Sequence, residues 1–224
     1  VIAEPGPEAL SAGGPRAAGG RVTIIEHAGD DKVAAWVVGR LTAALGRSAA
    51  PVAICVPGGA TPFPILEILT GAAIDWRRVT VWPGDDRLVP EDHPASNTGC
   101  IRVLLEPVGA EIVTLTTMEQ VPHFAFTWLG MGADGHVASL FPSADPVADD
   151  PQRIRRVLPD PLPPEAPFER ITLTIPALLD SDEILLVARG TEKRAALEAA
   201  LRGESDTPVA RLLRAARQEV TCFV

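Results

Sequence analysis

The sequence predicts an α/β protein with a mostly parallel sheet flanked by helices. Three observations predict it. The chain opens with a strand, a helix and a strand, with room for a parallel crossover. Apolar runs of strand length then keep alternating with segments of helical spacing. Finally, four polar or glycine-rich loops, residues 57–61, 84–97, 130–136 and 190–193, each come just after one of those runs. In a parallel sheet such strand-end loops can converge on one ligand crevice.

Taken in order, RVTIIEHAG reads as the first strand. DDKVAAWVVGRLTAAL follows with helical spacing at Val33, Trp36, Val37, Leu41 and Leu45. PVAICV returns to strand. In PGGATPFPILEILTG, Gly58 and Gly59 permit a close turn, and Pro62 or Pro64 suits the start of a helix. RRVTVWP is a strand and GDDRLVPEDHPASNTG a polar loop; a helix is expected through NTGCIRVLLEPVG, then a short strand near EIVTL. FAFTWLG is a strong strand. The proline-dense connection holding PLPPEAPFER is expected to be irregular or short strand. RITLTIPALLDSD reads as a strand with a turn or short helix, EILLVAR as a core strand, GTEKRAALEAALRG as an amphipathic helix, PVARLLRA as helix or turn, and EVTCFV as a final strand.

At 224 residues the chain is long enough for one large domain, expected over residues 21–224, with an irregular Pro/Gly-rich extension over 1–20. Neither a secretory leader nor a membrane-spanning run is visible, and Cys55, Cys100 and Cys222 form no disulfide framework. A reduced, cytoplasmic protein is the expectation, with a monomer as the simplest assembly. The net charge of −9 argues against general nucleic-acid affinity but permits a locally positive pocket for a small anion.

The candidate chemistry sits in those loops. Backbone N–H groups of Gly58 and Gly59, with the Thr61 hydroxyl, can cradle phosphate oxygens; equally, a Gly-Gly pair can be only a turn. PGGATP is neither a Walker A nor a dinucleotide fingerprint. Arg87, beside Asp85 and Asp86, offers a multidonor phosphate ligand or a locally paired surface turn, and His93 reads as loop scaffold or substrate contact. Arg170 and Lys193 are further cations for an anionic substrate, or solvent-facing charges. Asp85, Asp86 and Asp134 supply no ligand series with metal spacing.

In WLGMGADGHVASLFPS, Gly130 and Gly132 allow close backbone approach. His136 is the best general-base candidate in the chain, with Asp134 placed to hold its tautomer or the turn. The opposing reading is a helix beginning near Gly135 that Asp134 caps, with Ser139 in its next turn. Ser139 lacks a nucleophile elbow.

GMGADGHVASLFPS resembles the 6-phosphogluconolactonase family and the wider group of sugar-phosphate isomerases and deaminases. PGGATP, GDDRLVPEDHPASN, RITLT and GTEK recur in the family's order, and the resemblance runs from about Val22 to Val224. It implies the sugar-phosphate isomerase/deaminase fold and a small phosphorylated sugar lactone, 6-phospho-D-glucono-1,5-lactone, as substrate. His136 is then the residue that activates water and Asp134 its supporting acid. Gly58, Gly59, Thr61, Asp85, Arg87, Arg170 and Lys193 are implied as binding positions. No nucleotide, metal or covalent intermediate is required.

Phe141 stands where the related amino-sugar deaminases place a glutamate, which favours the lactonase branch. The alternatives are a noncatalytic sugar-phosphate binder or an amino-sugar-phosphate isomerase/deaminase. Three departures stand out: Asp86 where glutamate is commoner, Ser143 where glycine is usual, and a connection before Phe124 too short for the helix often found there.

Overall fold

The computed structural model describes residues 20–164 and 166–224, so the expected extension lies, except for Gly20, outside the described residues. In chain order the elements are β1 (Val22–Ile25), α1 (Asp30–Arg47), β2 (Val52–Val56), α2 (Pro62–Thr70), β3 (Val79–Pro83), β4 (Asp85–Arg87), α3 (Asn97–Leu105), β5 (Glu111–Ile112) and β6 (Thr127–Gly130). They continue with β7 (Ile154–Val157), β8 (Arg170–Leu173), α4 (Ile175–Leu178), β9 (Glu183–Val187), α5 (Thr191–Leu201), α6 (Pro208–Ala215) and β10 (Glu219–Phe223).

Seven strands pair in parallel in the order β1-β10-β9-β6-β2-β3-β5. The strands are apolar on both faces because both faces are covered. Along β9, Ile184 and Leu186 pack with Leu197, Leu212 and Leu213 of α5 and α6, whereas Leu185 and Val187 pack with Val37, Leu41, Ile65 and Ile101 of α1 to α3. Full burial of one leucine such as Leu186 contributes about 2 kcal/mol. Prolines set several helix starts: Pro62 and Pro208 occupy the first helical position, where the missing N–H costs nothing. The helix expected through Gly109 stops at Leu105, two residues before Pro107.

From β2 the chain moves outward to β3 and β5, then returns to β6 on the other side of β2 and moves outward again through β9 and β10. The carboxyl ends of β2 and β6 therefore flank a topological switch point, where open α/β sheets form their ligand crevice. There the loops meet closely: a Cβ built on Gly130 would lie 3.9 Å from Pro57.

Two sequence expectations need correction. The polar stretch after β3 is not all loop, since Asp85–Arg87 pairs antiparallel with β8 and, through it, with β7 in a separate three-stranded sheet. A run as polar as Asp-Asp-Arg carries no strand signal of its own; β8 supplies its hydrogen bonds. Nor does a helix begin near Gly135. The turn closes through bridges between Met131 and Val137 and between Val137 and Leu140, and a 3-10 turn follows at Pro142–Ala144. The short connection over 113–123 contains no helix, as its length implied.

Candidate active site

The loop after β2 turns through Gly59, whose φ of 101° is a conformation that favours glycine. Space around it is open, whereas a side chain at Gly58 would collide with the Asn97 amide. Thr61 is the residue before α2, and its hydroxyl makes no capping bond. Pro62 and Pro64 remove two N–H groups from the first turn of that helix. An anion here would rest on the loop amides and the Thr61 hydroxyl more than on the helix end.

β4 sends its two carboxylates to opposite duties. Asp86 is buried and accepts from the backbone N–H of Arg87 (2.7 Å), Asn97 (2.6 Å) and Thr98 (3.0 Å) and from Ser96 Oγ (3.1 Å), so it ties off the start of α3. The shorter acid thus still reaches the helix. Asp85 faces the other way, accepting from the Ser139 hydroxyl, while Asn97 Nδ2 donates to its backbone oxygen at 3.0 Å. Burial pushes the Asp85 carboxyl above its ordinary range, and the Ser139 bond and Arg87 oppose that rise.

Arg87 Nη1 donates to Ala95 O (2.7 Å) and Asn97 Oδ1 (3.2 Å). Directly across the ladder stands Arg170, 3% exposed, with Nη2 donating to Ala166 O at 2.6 Å and Nη1 buried without a partner among the described residues. Burial and then the neighbouring Arg87 hold the Arg170 guanidinium below its ordinary pKa. Like charges facing across a ladder destabilise it, and a buried unmet donor costs more still. An anion at this pair would relieve both.

The turn after β6 is shaped around His136. Its Nδ1 lies 2.6 Å from Asp134 Oδ1, and the same oxygen accepts from the His136 backbone N–H at 3.2 Å. The carboxylate selects the Nδ1–H tautomer, which leaves Nε2 with a lone pair and no partner among the described residues. A side chain at Gly132 would overlap the imidazole, so glycine there is a condition for the ring's position. Phe141 packs beside the ring at a tilt of 41°, ring centroids 5.0 Å apart.

These features can be set beside known proteins. The profile described as glucosamine-6-phosphate isomerases/6-phosphogluconolactonase matches residues 26–111 and 105–222. The chain belongs to that family. Within the glucosamine-6-phosphate isomerase/6-phosphogluconolactonase family it is 37% identical over 206 residues to the 6-phosphogluconolactonase of Pseudomonas aeruginosa, covering 82% of this chain and 86% of that one. It is 34% identical over 215 residues to the 6-phosphogluconolactonase of Caulobacter vibrioides, covering 85% and 90%. Its fold superposes on the crystal structure of a 6-phosphogluconolactonase from Shewanella baltica with a TM-score of 0.77 at 25% identity, covering 91% and 97%. The 6-phosphogluconolactonase of Thermotoga maritima shares the fold with a TM-score of 0.75 at 24% identity, covering 91% and 98%.

For this member of the glucosamine-6-phosphate isomerase/6-phosphogluconolactonase family, the structure draws together Gly58, Asp85 and Arg87 through Asn97, and Asp85 to the His136 turn through Ser139. Lys193 is placed only by topology: it lies in the first turn of α5, after β9, and β9 pairs with β6 up to Gly130. No hydrogen bond or ion pair joins it to the other candidates among the described residues. His93 accepts the Ala95 N–H at Nδ1 and packs edge-on to Phe168. Ser143 is exposed in the 3-10 turn, which tolerates it.

Asn97, Ser139 and Thr172 were not singled out as site residues by sequence. Asn97 looks like any residue after a serine cap, and only the fold brings its amide against Gly58 and Asp85. A groove of about 430 Å³ lies between α2 and α3, lined by Phe63, His93, Cys100, Val103 and Leu104 and by none of the residues that the family resemblance implies as catalytic or binding positions. Among the described residues no cluster of three or more His, Cys, Asp or Glu side chains could hold a metal ion, and no helix is long and apolar enough to cross a membrane.

Proposed function

We propose that this protein hydrolyses 6-phospho-D-glucono-1,5-lactone to 6-phospho-D-gluconate in the oxidative pentose-phosphate pathway. The single observation that carries the reading is an imidazole tied at Nδ1 with Nε2 free, on a turn that Ser139 bonds to Asp85 in the same ladder as a buried guanidinium with an unmet donor. Relatives with more than a third identity that carry the lactonase name support the choice of substrate.

The phosphate dianion binds at Arg87 and Arg170, with the loop amides near Gly58 and Gly59, the Thr61 hydroxyl and Lys193 as further donors. His136 Nε2 takes a proton from water as the water oxygen attacks the lactone carbonyl carbon. The tetrahedral alkoxide collapses, the bond from that carbon to the ring oxygen breaks, and the imidazolium returns its proton to the leaving oxygen. Asp134 holds the ring and stabilises its charged form. The product's new carboxyl group ionises in water. Phe141 puts an apolar ring beside His136 where ring-opening deamination would call for a carboxylate.

The test is turnover of freshly generated lactone, corrected for spontaneous opening, with His136→Ala alongside. Loss of about 10²- to 10⁴-fold with folding and phosphate binding retained is the expected outcome. Equal turnover by the variant would sink the base assignment, and phosphate binding without wild-type turnover would favour a noncatalytic binder.

A further inference from the structure

The turn that carries His136 ends in no helix, so something other than a helix must hold it in place. Bonds inside the turn, Gly132 N–H to His136 O and Leu140 N–H to Val137 O, both 2.9 Å, set its shape but not its position. On one side α6 grips it, through the Val209 N–H donating to Gly135 O at 2.9 Å. On the other it stands on the small sheet through Ser139, which is 1% exposed.

Ser139 uses both its donors there. Its backbone N–H donates to Thr172 Oγ1 at 3.2 Å, and its hydroxyl donates to Asp85 Oδ2. Asp85 and Thr172 face one another across β4 and β8, so Ser139 spans one rung of that ladder. Side chains two residues apart on a strand share a face, and the next rung on this face is Arg87 opposite Arg170. The two rungs are about 6–7 Å apart along the strand. The carboxylate of Asp85 is buried, with Arg87, Asp86, His136, Arg170 and Cys55 as its charged or titratable neighbours; the Ser139 bond favours its ionised form against desolvation.

We propose that Ser139 is a positioning residue: through Asp85 and Thr172 it locks the His136 turn to the small sheet, one rung from the Arg87–Arg170 pair. The kinetic consequence rests on the lactone-hydrolysis reading; the structural consequence rests on the geometry alone. A hydroxyl that fixes the register between the water-activating ring and the anion-binding pair affects the chemical step more than ground-state binding.

Ser139→Ala is measured beside wild type and again in an Asp85→Ala background, by lactone turnover and by amide exchange over residues 132–140. Expected are a fall in kcat of about tenfold or more, a KM within about twofold, and faster exchange across the turn. In the Asp85→Ala background the same change costs less than about twofold in kcat, because the acceptor of its hydroxyl is already gone. Full kcat, a loss confined to KM, additive losses, or unchanged exchange would each overturn the proposal. Faster exchange in a protein whose wild type opens no lactone keeps the latch and rejects the lactonase reading; wild-type turnover with an indifferent Ser139→Ala does the reverse. Should Ser139→Ala fail to fold, Thr172→Val keeps the side-chain shape, removes the other acceptor and is read by the same two assays.

Discussion

Arg87 and Arg170 face each other across β4 and β8, and Nη1 of Arg170 is buried with no partner among the described residues. This rung sets two cations opposite each other and leaves one buried donor that an anion would satisfy. Inorganic phosphate should therefore stabilise the protein, by about 2.7 kcal/mol at a hundredfold excess over its Kd. Arg170→Met should abolish that shift while leaving the anion-free melting temperature unchanged or higher, since it removes a buried guanidinium that faces a like charge and keeps one donor unmet. Thermal melts with and without phosphate check both halves, and a phosphate shift that survives in Arg170→Met would place the anion elsewhere.

Gly132 has no room for a side chain beneath the imidazole. Gly132→Ala is expected to displace His136 and lower kcat by about a hundredfold, with secondary structure by circular dichroism unchanged. A variant with wild-type kcat would show that the ring position is not what sets the rate.

Asp86 answers three backbone N–H groups and one hydroxyl around the start of α3. Asp86→Ala leaves these buried donors unmet and should destabilise the fold by about 2 kcal/mol, read from urea unfolding. Because Asn97 sits at that helix start and contacts Asp85 and Arg87, weaker phosphate binding should accompany the loss. Unchanged stability would mean that water replaces the carboxylate without cost.

His123 is clasped between two carboxylates, Nδ1 at 2.7 Å from Asp180 and Nε2 at 2.9 Å from Asp182; Arg153 bonds Asp180 and Arg47 bonds Asp182. The Asp180 bond, then the Asp182 bond, raise its pKa above the ordinary 6.5. A folded-state pKa raised above the unfolded value means the stabilisation is fully present below about 6.5 and is lost as pH rises through the higher folded value. The ring is more than half exposed, so the effect is screened to about 0.5–1 kcal/mol. Urea unfolding of wild type and His123→Gln should differ most below pH 6.5 and converge as pH rises above it, and a gap that widened with pH would contradict the clasp.

Much of this was legible in the sequence because it is carried by local pattern. Val33, Val37 and Leu41 at helical spacing mark α1 whatever surrounds them, and Pro62 and Pro208 mark helix starts by their own stereochemistry. Asp134 and His136 are also close in the chain, but a two-residue spacing leaves their contact open, and the conformation of the turn makes it. By contrast, β4 is invisible as a strand because Asp-Asp-Arg becomes one only against β8, and that pairing joins segments more than eighty residues apart.

By itself the sequence determined the alternation of strands and helices, the parallel sheet and the polar or glycine-rich loops that follow its strands. Periodicity, proline and glycine stereochemistry and short-range contacts are properties of neighbours in the chain. Only the tertiary structure decided that Asp86 caps a helix while Asp85 is buried at the site, that Arg87 and Arg170 form one rung, and that Ser139 stands on the rung beside it. Each of these depends on which face of a strand a side chain takes and which distant strand lies opposite, and pairing across the sheet sets both.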